Sequence, residues 1–271
     1  MKKIMLSICL LCACTTLQAQ GRKHTTFYDQ RATLFEVLPT SKKDIIFLGN
    51  SITNGCEWAE LLGNPHAKNR GISGDKTDGV LDRLHVITKG KPAKIFLLIG
   101  INDLAGGRSV EDIAKDIDEI AERIKNESPS TRLYLQSVLP LNPKFNMFVD
   151  HMNRKKDVPA LNALIKDIAN RRGLTYIDLF SEFVAPGTQD MNPDYTNDGL
   201  HLLGKGYQNW IRILKPYLVN KKRNSEVSIY LTITNTKRYK SIRNHLSEII
   251  KTKKIGLLTV NLLTTRFLFY M

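Results

Sequence analysis

Four places in this sequence carry residues whose types and spacing suit nucleophilic chemistry. Gly49-Asn50-Ser51 follows the apolar run 45–48, and Gly100-Ile101-Asn102 follows the apolar run 95–99. Each run stops at a glycine, so a hydroxyl and a carboxamide stand two residues past the end of a buried strand. Between them comes the glycine-rich turn Asn69-Arg70-Gly71-Ile72-Ser73-Gly74-Asp75. In open parallel sheets, sites lie outside the carboxyl ends of the strands. If the strand before the glycine turn and the strand ending at Gly100 both flank the first strand, all three turns meet at one switch point. A hydroxyl, a side-chain N–H donor and exposed backbone N–H groups then face one spot, which is the inventory of a nucleophile and an oxyanion hole. A nucleophilic serine needs a base. Asn197-Asp198-Gly199-Leu200-His201 sets an Asp and a His three apart, just before the last helix. In a turn that spacing can place both side chains on one side. His201 can then take the proton of Ser51, while Asp198 orients the ring and stabilises the imidazolium. Asp190 and Asp194 are rival acids, but neither has a histidine three residues on.

These residues need a scaffold, and the apolar pattern supplies one. The runs 45–48 and 95–99, the segment 133–138 stopped by Pro140, and Thr175-Tyr176-Ile177 are apolar on both faces, as buried parallel strands are. Helical patterns lie between them. Val110, Ile113, Ile117, Ile120 and Ile124 step by three and four behind a Ser109/Asp112 capping box. Leu161, Leu164, Ile165 and Ile168 form a second stripe, ended by Gly173, and Trp210, Ile211, Ile213 and Leu214 suggest a last helix to about residue 218. Phe27, Arg31, Leu34, Phe35 and Leu38 suggest a leading helix ended by Pro39. Alternation of strand and helix means an α/β fold with a parallel sheet.

The four blocks resemble the SGNH (GDSL-type) hydrolase superfamily. Gly49-Asn50-Ser51-Ile52-Thr53 is similar to its nucleophile block and Gly71-Ile72-Ser73-Gly74-Asp75 to its glycine block. Gly100-Ile101-Asn102-Asp103 matches the G-x-N-D block, and Asp198-Gly199-Leu200-His201 the D-x-x-H block. They occur in the family's order and cover about residues 27–219. The resemblance implies a flavodoxin-like three-layer sandwich, with a parallel five-stranded sheet of order 2-1-3-4-5 and helices on both faces. It implies a triad of Ser51, Asp198 and His201, and oxyanion donors from the Ser51 N–H, the Gly74 N–H and the Asn102 amide. The details look most like the platelet-activating-factor acetylhydrolase-like branch and bacterial exported acetylesterases. Asn50 departs from the family, which usually has Asp there. The G-x-S-x-G elbow of α/β-hydrolases is absent, since Thr53 stands where glycine would be needed.

Other residues take blander roles. Asp103 is expected to be a structural cap, and Cys56 a small buried residue on the helix after Ser51. Trp58 on that helix, and Asn142 after the fourth strand, are candidate substrate contacts. His24, His66, His85, His151 and His245 are read as structural or solvated, and none lies in a zinc-binding pattern such as H-E-x-x-H. Neither metal nor cofactor is expected.

The 271 residues carry a formal charge of +14, which raises the question of nucleic acid. Residues 221–271, however, hold 11 Lys+Arg against 2 Asp+Glu, so the first 220 residues are nearly balanced and no nucleic-acid partner is expected. This tail lacks Ala, Asp and Pro. It reads as sequence never selected to fold, or as a basic appendage for membranes or polyanions. At the other end, Lys2 and Lys3 precede the apolar run 4–14, too short to span a bilayer, and then Leu17-Gln18-Ala19. Residues 1–19 read as a secretory signal peptide, with a lipoprotein anchored at Cys14 as the alternative. Cys56 is then the one cysteine of a mature chain starting at Gln20, which excludes an intramolecular disulfide. No transmembrane segment is expected.

The sequence thus predicts a leader at 1–19, a hydrolase domain at 20–220 and the tail. The function expected is a periplasmic or secreted serine esterase acting on short acyl esters, chiefly acetyl, of a carbohydrate or small molecule. A lipid esterase and a glycan-binding relative without catalysis are the alternatives. Oligomeric state is not legible.

Overall fold

The computed structural model describes residues 23–218. The expected leader, Cys14 within it, and the basic tail lie outside the described residues. The chain divides into two compact units, Met1–Ile213 and Leu214–Met271; of the second, only the closing residues of the helix Gly204–Leu218 are described.

Five strands form one parallel sheet: β1 (Ile45–Gly49), β2 (Ala67–Gly71), β3 (Lys94–Leu98), β4 (Arg132–Gln136) and β5 (Thr175–Ile177). Their order is β2-β1-β3-β4-β5, and every pairing is parallel. This is the doubly wound order that the family resemblance implied. After β1 the chain runs to β2 on one side and then crosses to β3 on the other, so the turns after β1 and β3 diverge at one crevice.

Alternation along the strands gives the sheet two different faces. Phe47, Phe96 and Tyr134 stand in register on β1, β3 and β4. Their rings stack, with centroids 5.3 and 4.5 Å apart. Trp58 lies flat on Phe47 at 3.7 Å, and Trp210 meets Trp58 edge-on at 4.9 Å. The helices Trp58–Leu61 and Gly204–Leu218 therefore cover an aromatic face. The other face is aliphatic. There Leu97, Ile99 and Leu135 meet Ile117 and Ile165 of the helices Val110–Glu127 and Val158–Arg172. The N-cap arm of the expected Ser109/Asp112 box forms, with the serine Oγ accepting the Asp112 N–H at 3.1 Å, while the Asp112 carboxylate accepts the serine hydroxyl at 2.7 Å in place of the main-chain N–H of a capping box. Ile113, Ile117, Ile120 and Ile124 are buried beneath that start.

Two local expectations need correction. The leading helix, Thr26–Val37, buries Tyr28 and Phe35 but leaves Phe27 and Leu34 about two-fifths exposed. Its buried face is rotated because Tyr28 donates its hydroxyl to the Gly79 carbonyl at 2.7 Å, and Phe35 sits under the guanidinium groups of Arg31, Arg70 and Arg83. The helix after Ser51 is also shorter than expected. Ser51–Asn54 ends at Gly55, and Trp58 belongs to a separate turn, Trp58–Leu61.

Candidate active site

Ser51 opens its one-turn helix directly after β1. Gly49 is required before it, because a Cβ there would lie 2.2 Å from the Leu98 carbonyl and 2.5 Å from Thr53 Oγ1. Asn50 caps the turn, its Oδ1 accepting the Ile52 N–H at 3.1 Å. Its other amide atom, Nδ2, is buried without a partner. This is the position at which the family usually has Asp. The end of β2 is tied to the same turn. Asn69 donates to the carbonyls of Asn54 and Cys56 at 2.9 Å each, and Asn54 donates to the Gly71 carbonyl at 3.2 Å. Gly71 again leaves no room for a side chain, since a Cβ would lie 2.3 Å from the Asn54 nitrogen. Gly74 follows at φ +79°, exposed, with open space where a side chain would go.

A buried ion pair holds this turn. Arg83 meets Asp75 at 2.7 Å, and both side chains are almost wholly buried. Arg83 also donates to the carbonyls of Arg70 at 3.0 Å and Gly49 at 3.3 Å, so one guanidinium binds the ends of β1 and β2 together. Burial pushes the Asp75 carboxyl above its ordinary pKa, and Arg83 opposes that push. The main-chain carbonyl of Asp75 accepts the Asn102 amide at 2.9 Å.

Asn102 lies in the short helix Ile101–Ala105 after β3, and Gly100 enters that helix at φ +120°. Asp103 is fully buried and accepts from the Thr77 N–H, the Thr77 hydroxyl and Arg108. Those bonds give it the structural capping role expected.

Asp198 and His201 lie in a turn shaped by Thr196 and Gly199. Thr196 Oγ1 accepts the Gly199 N–H at 2.9 Å. Gly199 is at φ +84°, and a Cβ on it would lie 2.2 Å from the Asn142 carbonyl. Asp198 Oδ1 accepts the N–H groups of Leu200 and His201 at 2.8 and 2.7 Å. Oδ2 lies 2.7 Å from His201 Nδ1, and His201 Nε2 lies 3.0 Å from Ser51 Oγ. Burial works against the Asp198 carboxylate, but the two amides and the imidazole outweigh it and hold its pKa below the ordinary 3.8. An ionised Asp198 can only accept, so Nδ1 carries the ring proton and Nε2 is left to accept from the Ser51 hydroxyl. The arrangement can pass a hydroxyl proton to an imidazole whose charge a carboxylate stabilises.

The remaining expected residues are placed as follows. Asp190 is paired with Lys155, and Asp194 lies 3.4 Å from Lys205, so the rival acids serve lysines. Two residues expected to touch substrate are inside the framework instead. Trp58 is 1% exposed and donates its indole N–H to the Thr53 carbonyl at 2.9 Å. Asn142 is 4% exposed; its amide donates to the Met191 carbonyl at 2.7 Å and its oxygen accepts from the Lys144 N–H. Cys56 is buried, and burial pushes its thiol up to about 12. Among the described residues, no group of three or more His, Cys, Asp and Glu side chains could hold a metal ion, and no helix is long and apolar enough to cross a membrane.

One functional candidate escaped the sequence. His24 pairs with Asp82, His66 with Asp44, and His85 is exposed; His245 lies outside the described residues. His151 differs. Its Nε2 lies 3.0 Å from Asn102 Oδ1. Phe148, three residues before it, places its ring edge-on to His201 at 5.1 Å. The preceding stretch is non-periodic, and nothing in it marked His151 out.

The chain is similar to known proteins over most of its described residues. The model of the GDSL-like lipase/acylhydrolase family matches residues 47–208. The platelet-activating factor acetylhydrolase IB subunit alpha2 of Gallus gallus is 28% identical over 180 residues, covering 64% of this chain and 73% of that protein. Among solved structures, a Streptococcus pneumonia protein described as a platelet activating factor superposes with a TM-score of 0.65 at 27% identity, covering 71% of this chain and 91% of that one. A GDSL-like lipase from Bacteroides thetaiotaomicron superposes with a TM-score of 0.61 at 26% identity, covering 70% of this chain and 96% of that one. The chain therefore belongs to the GDSL-like lipase/acylhydrolase family and is a carboxylic ester hydrolase.

Proposed function

We propose that this chain is an exported serine esterase that hydrolyses short acyl esters, acetyl above all, carried on carbohydrate. The observation that supports it most is the run of contacts from Ser51 Oγ through His201 to Asp198, at 3.0 and 2.7 Å, beside the ends of β1 and β3. Ser51 Oγ attacks the ester carbonyl carbon and its proton passes to His201 Nε2. The N–H groups of Ser51 and Gly74 and the Asn102 amide receive the developing oxyanion. The intermediate collapses, the bond to the alcohol breaks, and the alcohol leaves with the proton from His201. Water then attacks the acyl-enzyme, gives its proton to His201, and releases the acid with Ser51 restored. Water is the one co-reactant this balance needs. The acetyl preference draws support from the relatives named as acetylhydrolases. The carbohydrate carrier rests on the resemblance to exported acetylesterases and on the expected leader.

A lipid ester is the second reading. Met147, Phe148 and Val149 form an exposed apolar run next to His201, and such a run suits a chain or a membrane surface. Acetate released from a panel of acetylated glycans, measured in parallel with acetate released from vesicles bearing an acetylated phospholipid, separates the two. Turnover on a glycan well above that on vesicles is expected; the opposite ranking would replace the carbohydrate reading with the lipid one.

A further inference from the structure

Asn102 is held at both ends of its carboxamide, and the two contacts together assign its atoms. The Asp75 main-chain carbonyl can only accept, so the group 2.9 Å from it is the amide nitrogen of Asn102. The amide oxygen then faces His151 Nε2 at 3.0 Å. An oxygen can only accept there, so His151 carries a hydrogen on Nε2 and donates it. One amide hydrogen of Asn102 is engaged by Asp75, and the second is left for another acceptor.

The segment bearing His151 is built onto the helix of Asn102. His151 lies in the short helix Val149–Met152, which the chain enters through Phe148 at φ 53° and ψ 52°. A bulky side chain in this left-handed region is strained, and such strain persists where surrounding contacts over-determine it. The contacts are visible. Arg154, just past the helix, donates to the carbonyls of Leu104 at 2.9 Å and Arg108 at 3.0 Å. The Phe148 ring stands edge-on to both imidazoles, 5.8 Å from His151 and 5.1 Å from His201. Burial, and then the nearby His201, hold His151 below its ordinary pKa of 6.5 and so favour the neutral ring.

We propose that His151 is a positioning residue, which donates its Nε2 hydrogen to Asn102 Oδ1 and so turns the free hydrogen of the Asn102 amide toward the carbonyl oxygen of the bound ester. This rests on the reading of Asn102 as an oxyanion donor. His151 touches neither the nucleophile nor the acid; it acts through Asn102. Loss of its hydrogen bond leaves the amide held by Asp75 alone, free to rock about its side-chain torsions. The donor then spends less time aimed at charge that develops after the ground state, so kcat falls and KM does not.

The test uses the full chain and nitrophenyl acetate. His151→Leu should lower kcat about tenfold with KM within about twofold, the scale of one neutral hydrogen bond. His151→Gln, whose amide can reach the same oxygen with an N–H, should keep most of the activity. In an Asn102→Ala background, His151→Leu should change kcat less than about twofold, because its target is gone. A full tenfold loss in that background, or equal losses for Gln and Leu, would overturn the proposal. If His151→Leu does not fold by circular dichroism, His151→Asn, polar but too short to reach, takes its place with the same expectations. Failure of the underlying reading looks different: Asn102→Ala alone would then keep wild-type kcat.

Discussion

Asp198 carries more local duties than its place behind the imidazole suggests. One of its oxygens builds the turn through two main-chain N–H groups and the other faces the His201 ring. Asp198→Asn keeps the shape but offers Nδ1 a group that can donate, which favours the wrong tautomer; kcat on nitrophenyl acetate should fall by several orders of magnitude. Asn102→Ala removes a single preorganised donor, so steady-state kinetics should show a loss of about 100- to 1000-fold in kcat with little change in KM. A loss below about tenfold for either variant would remove that residue from the proposed machinery. His151 makes a stability prediction as well. Its folded pKa lies below 6.5, so on acidification the unfolded chain binds that proton first. Its contribution is complete above 6.5 and is lost as the pH falls through the folded value. Urea midpoints should therefore drop from pH 7 to 5, and the drop should be shallower in His151→Gln; parallel curves for the two proteins would show that another group dominates.

The element that positions Ser51 is small and borrows its rigidity. Ser51–Asn54 is one turn, too short to be stable alone. It is pinned by Asn69 from β2 and by Trp58, whose indole donates to the Thr53 carbonyl. Trp58 is in turn clamped between Phe47 and Trp210. Trp58→Ala opens a cavity in that stack and frees the carbonyl, and should destabilise the fold by about 3–5 kcal/mol in urea titrations. Because the turn of Ser51, the proposed nucleophile, loses its anchor, kcat should fall even in the folded fraction. A destabilisation below about 1 kcal/mol would mean that the aromatic face repacks around the gap.

At the scale of the molecule, the strand order creates the site. β1 lies between β2 and β3, so the turns bearing Ser51, Gly74 and Asn102 all leave from adjacent strand ends. The turn with Asp198 and His201 closes on them from a point 150 residues further on in the chain. The segment around Phe148 leaves apolar surface next to His201. If this surface walls an acetyl pocket, rates on nitrophenyl esters should fall steeply from acetate to octanoate, since a poorly fitting methylene is worth ~10- to 200-fold. Rates that hold or rise toward octanoate would make the same surface a bed for a fatty chain.

The strands of the core were legible because burial on both faces writes an uninterrupted apolar run, as at 45–48 and 95–99. Glycines where backbones nearly touch, Gly49 and Gly71, were legible for a similar reason: a local steric demand leaves a local residue. The proposed triad and donor residues stood out as short motifs at strand ends. Edge strand β2 left no apolar run to read, since its sequence is Ala-Lys-Asn-Arg-Gly and Asn69 spends its amide on the carbonyls of Asn54 and Cys56. The buried face of the first helix was misread at Tyr28, which stood outside the expected stripe and is drawn in by the carbonyl of Gly79, 51 residues away, a contact that no helical periodicity encodes. Trp58 and Asn142 looked like substrate contacts because type and neighbourhood in sequence do not report depth. His151 was passed over because its partner, Asn102, is 49 residues away. Periodic burial and steric need are written along the chain; a hydrogen bond between distant turns exists only once the sheet has brought those turns together.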